Sequence, residues 1–135
     1  MFIHGVKEWN RGCRVGSFRS LEISISYHIR GHTVPFRPYG YVLEIRNTKH
    51  LRLFPHDISS LLISGRKVYR PGLKRRQVYS LEELIKQTPK ASHNEILTRV
   101  DNINLIGYYI SETGANGSRI FARVCEQAGL QREEI

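Results

Sequence analysis

One acidic side chain, Glu95, stands where a polar stretch of the sequence becomes apolar. It follows His93 and Asn94 and directly precedes two aliphatic residues. A carboxylate placed against a core costs on the order of several kcal/mol unless it is paired or serves a reaction. A fixed negative charge of this kind can stabilise a cation that develops during a reaction. Taken alone, however, the pattern favours a surface acid at a strand edge, paired with Arg99 or a lysine.

Histidine adds a second kind of chemistry, because its pKa near neutrality lets it act as a base. His93 lies two residues before Glu95 and could act on a nearby hydroxyl or base nitrogen. The other five histidines are scattered along the chain: His4, His28, His32, His50 and His56. The sequence has no CxxC, HExxH or G-x-S-x-G motif and no Walker-type phosphate loop. It therefore predicts no metal site.

Short strands must position these side chains, and the hydrophobic pattern predicts five of them. They cover residues 2–4, 21–27, 39–45, 94–99 and 103–110. In the second strand, Ser24 and Ser26 alternate with isoleucines, which is the period of a half-buried strand. By default such serines face solvent.

Helices are fewer than the strands. Ser80, followed by Glu83 three residues later, predicts a helix that ends before Pro89. Residues 118–128 have the spacing of an amphipathic helix, and Gly129 is a suitable C-cap. Strands interspersed with so few helices predict an α+β fold rather than a doubly wound parallel sheet.

Three other segments complete the organisation of the chain. Residues 55–63 predict a short helix with Ile58, Leu61 and Leu62 on one face. Residues 7–17 contain two glycines and indicate a loop, as do residues 66–76, which hold six basic residues and no acid. At 135 residues, the chain is expected to form a single domain, residues 1–135.

The succession of these pieces resembles the mono-ADP-ribosyltransferases of the cholera and heat-labile enterotoxin group. The matching segments are EISIS at 22–26, YGYVLEI at 39–45, HNEIL at 93–97 and LIGYYI at 105–110. The resemblance covers most of residues 20–112 and rests on order and spacing, because each piece is short. It implies an ADP-ribosyltransferase-like fold of the α+β class, with two small packed β-sheets around an NAD cleft and short flanking helices.

The resemblance implies an enzyme that cleaves NAD, its substrate, and transfers ADP-ribose to a macromolecular target. Cleavage of the nicotinamide–ribose bond develops positive charge on the ribose, which a fixed carboxylate can stabilise. By resemblance Glu95 takes this role. Ser24 and Ser26 are expected to brace the carboxylate and to shape the nicotinamide slot.

Two positions depart from the enterotoxin pattern. His4 and Gly5, at the end of the first strand, resemble the diphtheria-toxin and poly-ADP-ribose branch and are expected to contact NAD. His93 stands where the enterotoxin pattern has Glu or Gln, the residue that handles the target side chain. We expect His93 to orient or deprotonate the acceptor, and arginine is not implied as that acceptor. Tyr27 is expected to stack on nicotinamide.

The net charge of +9 favours an anionic partner, either an acidic protein or nucleic acid. The basic loop at residues 66–76 is expected to meet this target. The resemblance to toxins implies a further partner, either an immunity protein or a delivery partner. Two alternatives remain open: a small basic ribonuclease toxin that uses histidines, and a non-catalytic module that binds nucleic acid or another partner. Incubation with labelled NAD distinguishes the ADP-ribosyltransferase hypothesis from both alternatives.

The sequence also bears on where the protein acts. No apolar run is long enough to cross a bilayer, and the N-terminal residues lack the apolar core of a signal peptide. The resemblance implies a toxin or effector that is secreted or delivered into the cytoplasm of a target cell. Cys13 and Cys125 are expected to stay free in a reducing compartment, or to form a disulfide if the protein is exported.

Overall fold

The computed structural model describes residues 1–57 and 76–135. In these two ranges the chain forms seven strands: β1 Phe2–Gly5, β2 Glu22–Tyr27, β3 Tyr39–Ile45, β4 Arg52–Phe54, β5 Glu95–Arg99, β6 Ile103–Ile110 and β7 Gln131–Arg132. Two α-helices accompany them: α1 Leu81–Gln87 and α2 Ser118–Gln127. The five predicted strands and these two helices are confirmed, whereas β4 and β7 were not predicted. Residues 58–63 of the predicted helix and 66–75 of the predicted basic loop lie outside the described residues.

The described strands form one mixed sheet in the order β4-β5-β2-β1-β3-β6-β7. Neighbouring strands are antiparallel except β6 and β7, which are parallel. The α+β class is therefore confirmed. The prediction of two separate packed sheets is wrong, because β1 pairs with both β2 and β3 and joins the two halves.

The junction between β1 and β2 is short, although it lies in the middle of the sheet. β1 pairs with β3 along its whole length, from Phe2 to Gly5. With β2 it forms only two residue pairs, Phe2 with Tyr27 and Ile3 with Ser26. Beyond Ile3 the two strands separate, and the sheet splits there.

The main core lies on the face of the sheet that α2 covers. Phe121 on α2 is fully buried, and aromatic rings surround it at centroid distances of 5.0 to 6.1 Å: Trp9, Tyr39, Tyr41 and Tyr108. Ile23 and Ile25 of β2 and Ile96 of β5 belong to the same core. Because side chains alternate along a strand, the residues between them face the opposite side.

The opposite face carries a smaller apolar cluster of Ile3, Val42 and Tyr109. The alternation in β2 and β5 places Ser24, Ser26 and Glu95 on this side as well. The predicted site residues of these two strands therefore share one face of the sheet.

None of the helices in residues 1–57 and 76–135 is both long and apolar enough to cross a membrane. Cys13 and Cys125 are free thiols in the structure rather than a disulfide. Burial raises the pKa of the Cys125 thiol to about 12. A thiol of this kind behaves as a small apolar core side chain.

Candidate active site

A pocket of about 240 Å³ lies where β1 and β2 separate. It brings together five of the seven predicted site residues: His4, Gly5, Ser24, Ser26 and Glu95. The split in the sheet forms this pocket, because two paired strands leave no room between them for a ligand. Its other walls come from the segment before β3 and the segment after β4.

Glu95 is the buried carboxylate of this pocket, with only 7% of its surface exposed. The Ser24 hydroxyl donates a hydrogen bond of 3.0 Å to Glu95 Oε2. This contact follows from strand register, because β2 pairs with β5 and sets Ser24 opposite Leu97, two residues beyond Glu95. Such burial contradicts the surface-acid interpretation. Arg99, the partner named for that interpretation, forms an exposed ion pair with Asp101.

Asn94 fixes the start of β5, although no role was predicted for it from the sequence. Its side chain is 1% exposed and bonds to the backbone of Tyr27 in both directions, at 2.7 Å to the N–H and 2.9 Å to the carbonyl. The Ser26 hydroxyl donates to the Asn94 carbonyl at 2.5 Å. These bonds set the distance between β2 and β5 immediately before Glu95. The only sequence signal was the position of this amide directly before the acid.

His4 lies at the mouth of the split, with its Nδ1 2.7 Å from the Ser24 carbonyl oxygen. A carbonyl only accepts, so Nδ1 carries the proton and the neutral ring keeps Nε2 as an acceptor. The ring packs edge-on against Phe18 at a centroid distance of 5.5 Å. Burial lowers the pKa of His4, partly offset by the bond to Ser24, so the neutral ring is favoured.

Gly5 is needed because Arg37 crosses the end of β1. A Cβ atom at Gly5 would lie 2.7 Å from Arg37 Cβ, which is closer than side chains approach. Tyr109 donates from its hydroxyl to the Arg37 carbonyl at 3.2 Å. The Arg37 guanidinium lies over the Phe36 ring, 4.6 Å from its centroid. Phe36 and Arg37 both line the pocket, although neither was predicted from the sequence as a site residue.

Asp57 is a second acid in the lining, also absent from the prediction. Its backbone N–H donates to the His93 carbonyl at 2.9 Å, which holds the segment after β4 against the segment before β5. The sequence could not assign Asp57, because this contact joins two segments that lie far apart in the chain.

His93 and Tyr27, the remaining predicted residues, do not line this pocket. The His93 ring is half-buried and packs edge-on against Phe36 at 5.1 Å. Burial lowers the pKa of His93, while the Asp57 carboxylate acts in the opposite direction. Tyr27 lies on the other face of β2 from Ser24 and packs against Phe2 at 5.1 Å.

A larger pocket of about 870 Å³ adjoins the first and shares His4, Gly5 and Ser24 with it. The segment between β1 and β2 forms much of its wall. Its lining includes three basic side chains, Lys7, Arg14 and Arg19, and two acidic ones, Glu8 and Glu22. Glu22 is paired with Arg52, so the basic side chains outnumber the remaining acid, and an anionic group in this second pocket would meet a net positive charge.

Acid should destabilise this fold through its buried histidines. Burial lowers the pKa of His4, His28 and His93 below the ordinary value of 6.5. The unfolded chain therefore takes up protons first as the pH falls through 6.5, and stability present above that pH is lost. We expect the free energy of unfolding, measured by urea denaturation, to fall between about pH 7 and about pH 5. His4→Gln should make this fall smaller; an unchanged pH dependence in that variant would contradict the assignment.

Removing the Ser24 hydroxyl tests the support of Glu95. We expect Ser24→Ala to lower the rate constant of any reaction that uses the Glu95 carboxylate by about tenfold, or about 1.4 kcal/mol, because one charge-assisted hydrogen bond is lost. Ser111→Ala is the matched control, since Ser111 is exposed and its hydroxyl donates to the Pro38 carbonyl, outside the pocket. Equal rates for Ser24→Ala and Ser111→Ala would show that Ser24 does not support Glu95.

In the described part of the chain, no three side chains of His, Cys, Asp or Glu are grouped so that they could hold a metal ion. No family model matches the sequence, and no curated protein or solved structure matches this chain.

Proposed function

We propose that this chain is a mono-ADP-ribosyltransferase that cleaves NAD and transfers ADP-ribose to a macromolecular target. The observation that carries the proposal is the buried Glu95 carboxylate, which accepts a hydrogen bond from Ser24 inside a pocket. The same pocket contains His4, Gly5, Ser24 and Ser26, four of the five residues expected from the resemblance to bind NAD, whereas the fifth, Tyr27, lies outside it. With this function goes the ADP-ribosyltransferase-like fold, in which the split between β1 and β2 serves as the NAD cleft.

The chemistry needs little from the protein beyond a fixed negative charge. When the bond between ribose C1′ and the nicotinamide nitrogen breaks, the electron pair stays on nicotinamide, which leaves neutral and needs no proton. Positive charge then develops on the ribose, and Glu95 stabilises it. The hydrogen bond from Ser24 holds the carboxylate in one orientation.

The sizes of the two pockets suit one half of the NAD molecule each. At about 240 Å³ the first pocket falls below the range of about 300–1,000 Å³ usual for whole ligands, so it suits the nicotinamide ribose half. The adjoining pocket of about 870 Å³ can take the adenylate half. Its basic side chains, Lys7, Arg14 and Arg19, suit the negative pyrophosphate.

The alternatives gain less support from the geometry. A ribonuclease of the kind considered would use histidines together, yet of the six histidines, all within the described residues, His4 alone lines the pocket. The basic loop expected to serve a non-catalytic module lies mostly outside the described residues. Secretion or delivery as a toxin, and an immunity or delivery partner, follow only from the sequence resemblance.

Transfer of label from NAD tests the proposal. The protein is incubated with NAD labelled in the adenylate half, first alone and then with cell lysate, and both free nicotinamide and labelled macromolecules are measured. We expect nicotinamide release that depends on the protein, and labelled material in lysate. No nicotinamide above a protein-free control would refute the function, whereas RNA cleavage without NAD would favour the ribonuclease.

A further inference from the structure

Three side chains of the pocket have no part in the cleavage of NAD as described. Phe36 and Arg37 precede β3, and Asp57 follows β4; all three line the pocket together with Glu95. We call them the acceptor wall. Contacts within the fold hold this wall in place: Tyr109 bonds to the Arg37 carbonyl, and the Asp57 N–H bonds to the His93 carbonyl.

The second carboxylate of the pocket suits the other half of the reaction. One fixed acid, Glu95, is enough to stabilise the ribosyl cation. The acceptor must lose a proton when its nitrogen or oxygen attacks C1′, and a carboxylate within reach can take that proton. Asp57 lines the same pocket as Glu95, whereas His93, first expected in this role, does not.

The other two residues of the acceptor wall indicate what kind of acceptor fits. The Arg37 guanidinium stacked on Phe36 makes a flat platform of the kind on which nucleobases stack. A guanidinium also binds phosphate, and a carboxylate accepts a hydrogen bond from a base N–H. The net charge of +9, with six basic residues and no acid in residues 66–76, favours a polyanion.

We propose that the acceptor wall binds an unpaired base of a nucleic-acid strand, and that Asp57 is the catalytic residue that receives its proton. This inference rests on the proposed function. In the step, the C1′–nitrogen bond of NAD breaks and its electron pair leaves on nicotinamide. The lone pair of the base nitrogen forms the new bond to C1′, and the N–H proton passes to the Asp57 carboxylate.

The test measures two activities of one protein preparation. Adenylate-labelled NAD is supplied with random-sequence single-stranded DNA and RNA pools, and separately with agmatine and an arginine-rich polypeptide. We expect labelled oligonucleotide from the wild type. Asp57→Asn should lower that transfer by about 100-fold but nicotinamide release without an acceptor by less than about tenfold, because Glu95 still stabilises the ribosyl cation. Asp101→Asn is the control, because Asp101 is exposed and paired with Arg99.

Each outcome bears on the inference separately from the proposed function. Label on the polypeptide or agmatine but not on either oligonucleotide pool would overturn the nucleobase acceptor. Equal loss of transfer and nicotinamide release in folded Asp57→Asn would overturn the proton-acceptor role. If that variant fails to fold, Phe36→Leu provides the test: a KM for oligonucleotide raised by a larger factor than the KM for NAD supports the wall, and an unchanged KM for oligonucleotide overturns it. Wild type that releases no nicotinamide would refute both proposals.

Discussion

Glu95→Gln is expected to lower the rate of NAD cleavage by about 10²–10³-fold while the protein stays folded. The substitution keeps the size of the side chain and its ability to accept a hydrogen bond from Ser24. It removes the negative charge and replaces one carboxylate oxygen by an NH2 group, and the loss of one preorganised electrostatic group at a transition state has about this effect. The measurement is kcat for nicotinamide release, with the thermal unfolding midpoint recorded on the same samples.

The matched control for this variant is Glu44→Gln. Glu44 also lies on a strand, β3, but its side chain is exposed and does not line the pocket. We expect wild-type kcat from this variant. If Glu95→Gln cleaves NAD as fast as Glu44→Gln does, Glu95 is not the catalytic acid, however well it is buried.

Asn94→Ala is expected to cost about 2–4 kcal/mol of unfolding free energy and most of the activity. The Asn94 side chain satisfies the backbone N–H and carbonyl of Tyr27, and truncation leaves both without this partner in a partly buried place. Each buried polar group left unsatisfied costs about 1–3 kcal/mol. Because Asn94 also anchors the start of β5, the Glu95 carboxylate should lose its position relative to Ser24.

Urea denaturation compares Asn94→Ala with Asn104→Ala. Asn104 serves as the control because its side chain accepts from Arg46 in an exposed pair. We expect a change of less than about 0.5 kcal/mol for Asn104→Ala. If the two variants lose equal stability, the Asn94 amide does not act as the link between β2 and β5 described above.

Much of this fold could be predicted because its signals are local. The alternation around Ser24 and Ser26 predicted β2, and Ser80 with Glu83 predicted α1; the Ser80 hydroxyl indeed accepts from the Glu83 N–H. The two edge strands, β4 and β7, were missed because they carry no such local signal. β4 has three residues and β7 two, which is too short for a hydrophobic period to be detected.

The number of sheets could not be predicted, because it depends on long-range pairing. β1 joins the halves of the sheet through Phe2 and Ile3 alone, and no local pattern encodes those two pairs. A one-residue shift in strand pairing would turn every side chain to the other face. The register that sets Ser24 opposite Leu97 was therefore visible only in the structure.

Only part of the site could be predicted, because some of its residues lie on strands and others on connecting segments. Ser24 and Ser26 lie on the face of β2 opposite to the isoleucines, as their period of two predicted. Arg37 and Asp57 come from connecting segments, whose path depends on the contacts made by the folded chain. His93 was expected to face the acceptor, yet its ring packs against Phe36 just before β5 begins.

A crystal structure of Glu95→Gln with NAD bound tests directly whether this pocket is the NAD site, since this variant should bind NAD and cleave it much more slowly. We expect the nicotinamide ribose in the pocket between β1 and β2, with its C1′ facing the side chain of residue 95. The adenylate half should extend past His4 into the adjoining pocket. NAD bound elsewhere on the protein, or no NAD bound at saturating concentration, would show that this pocket is not an NAD site.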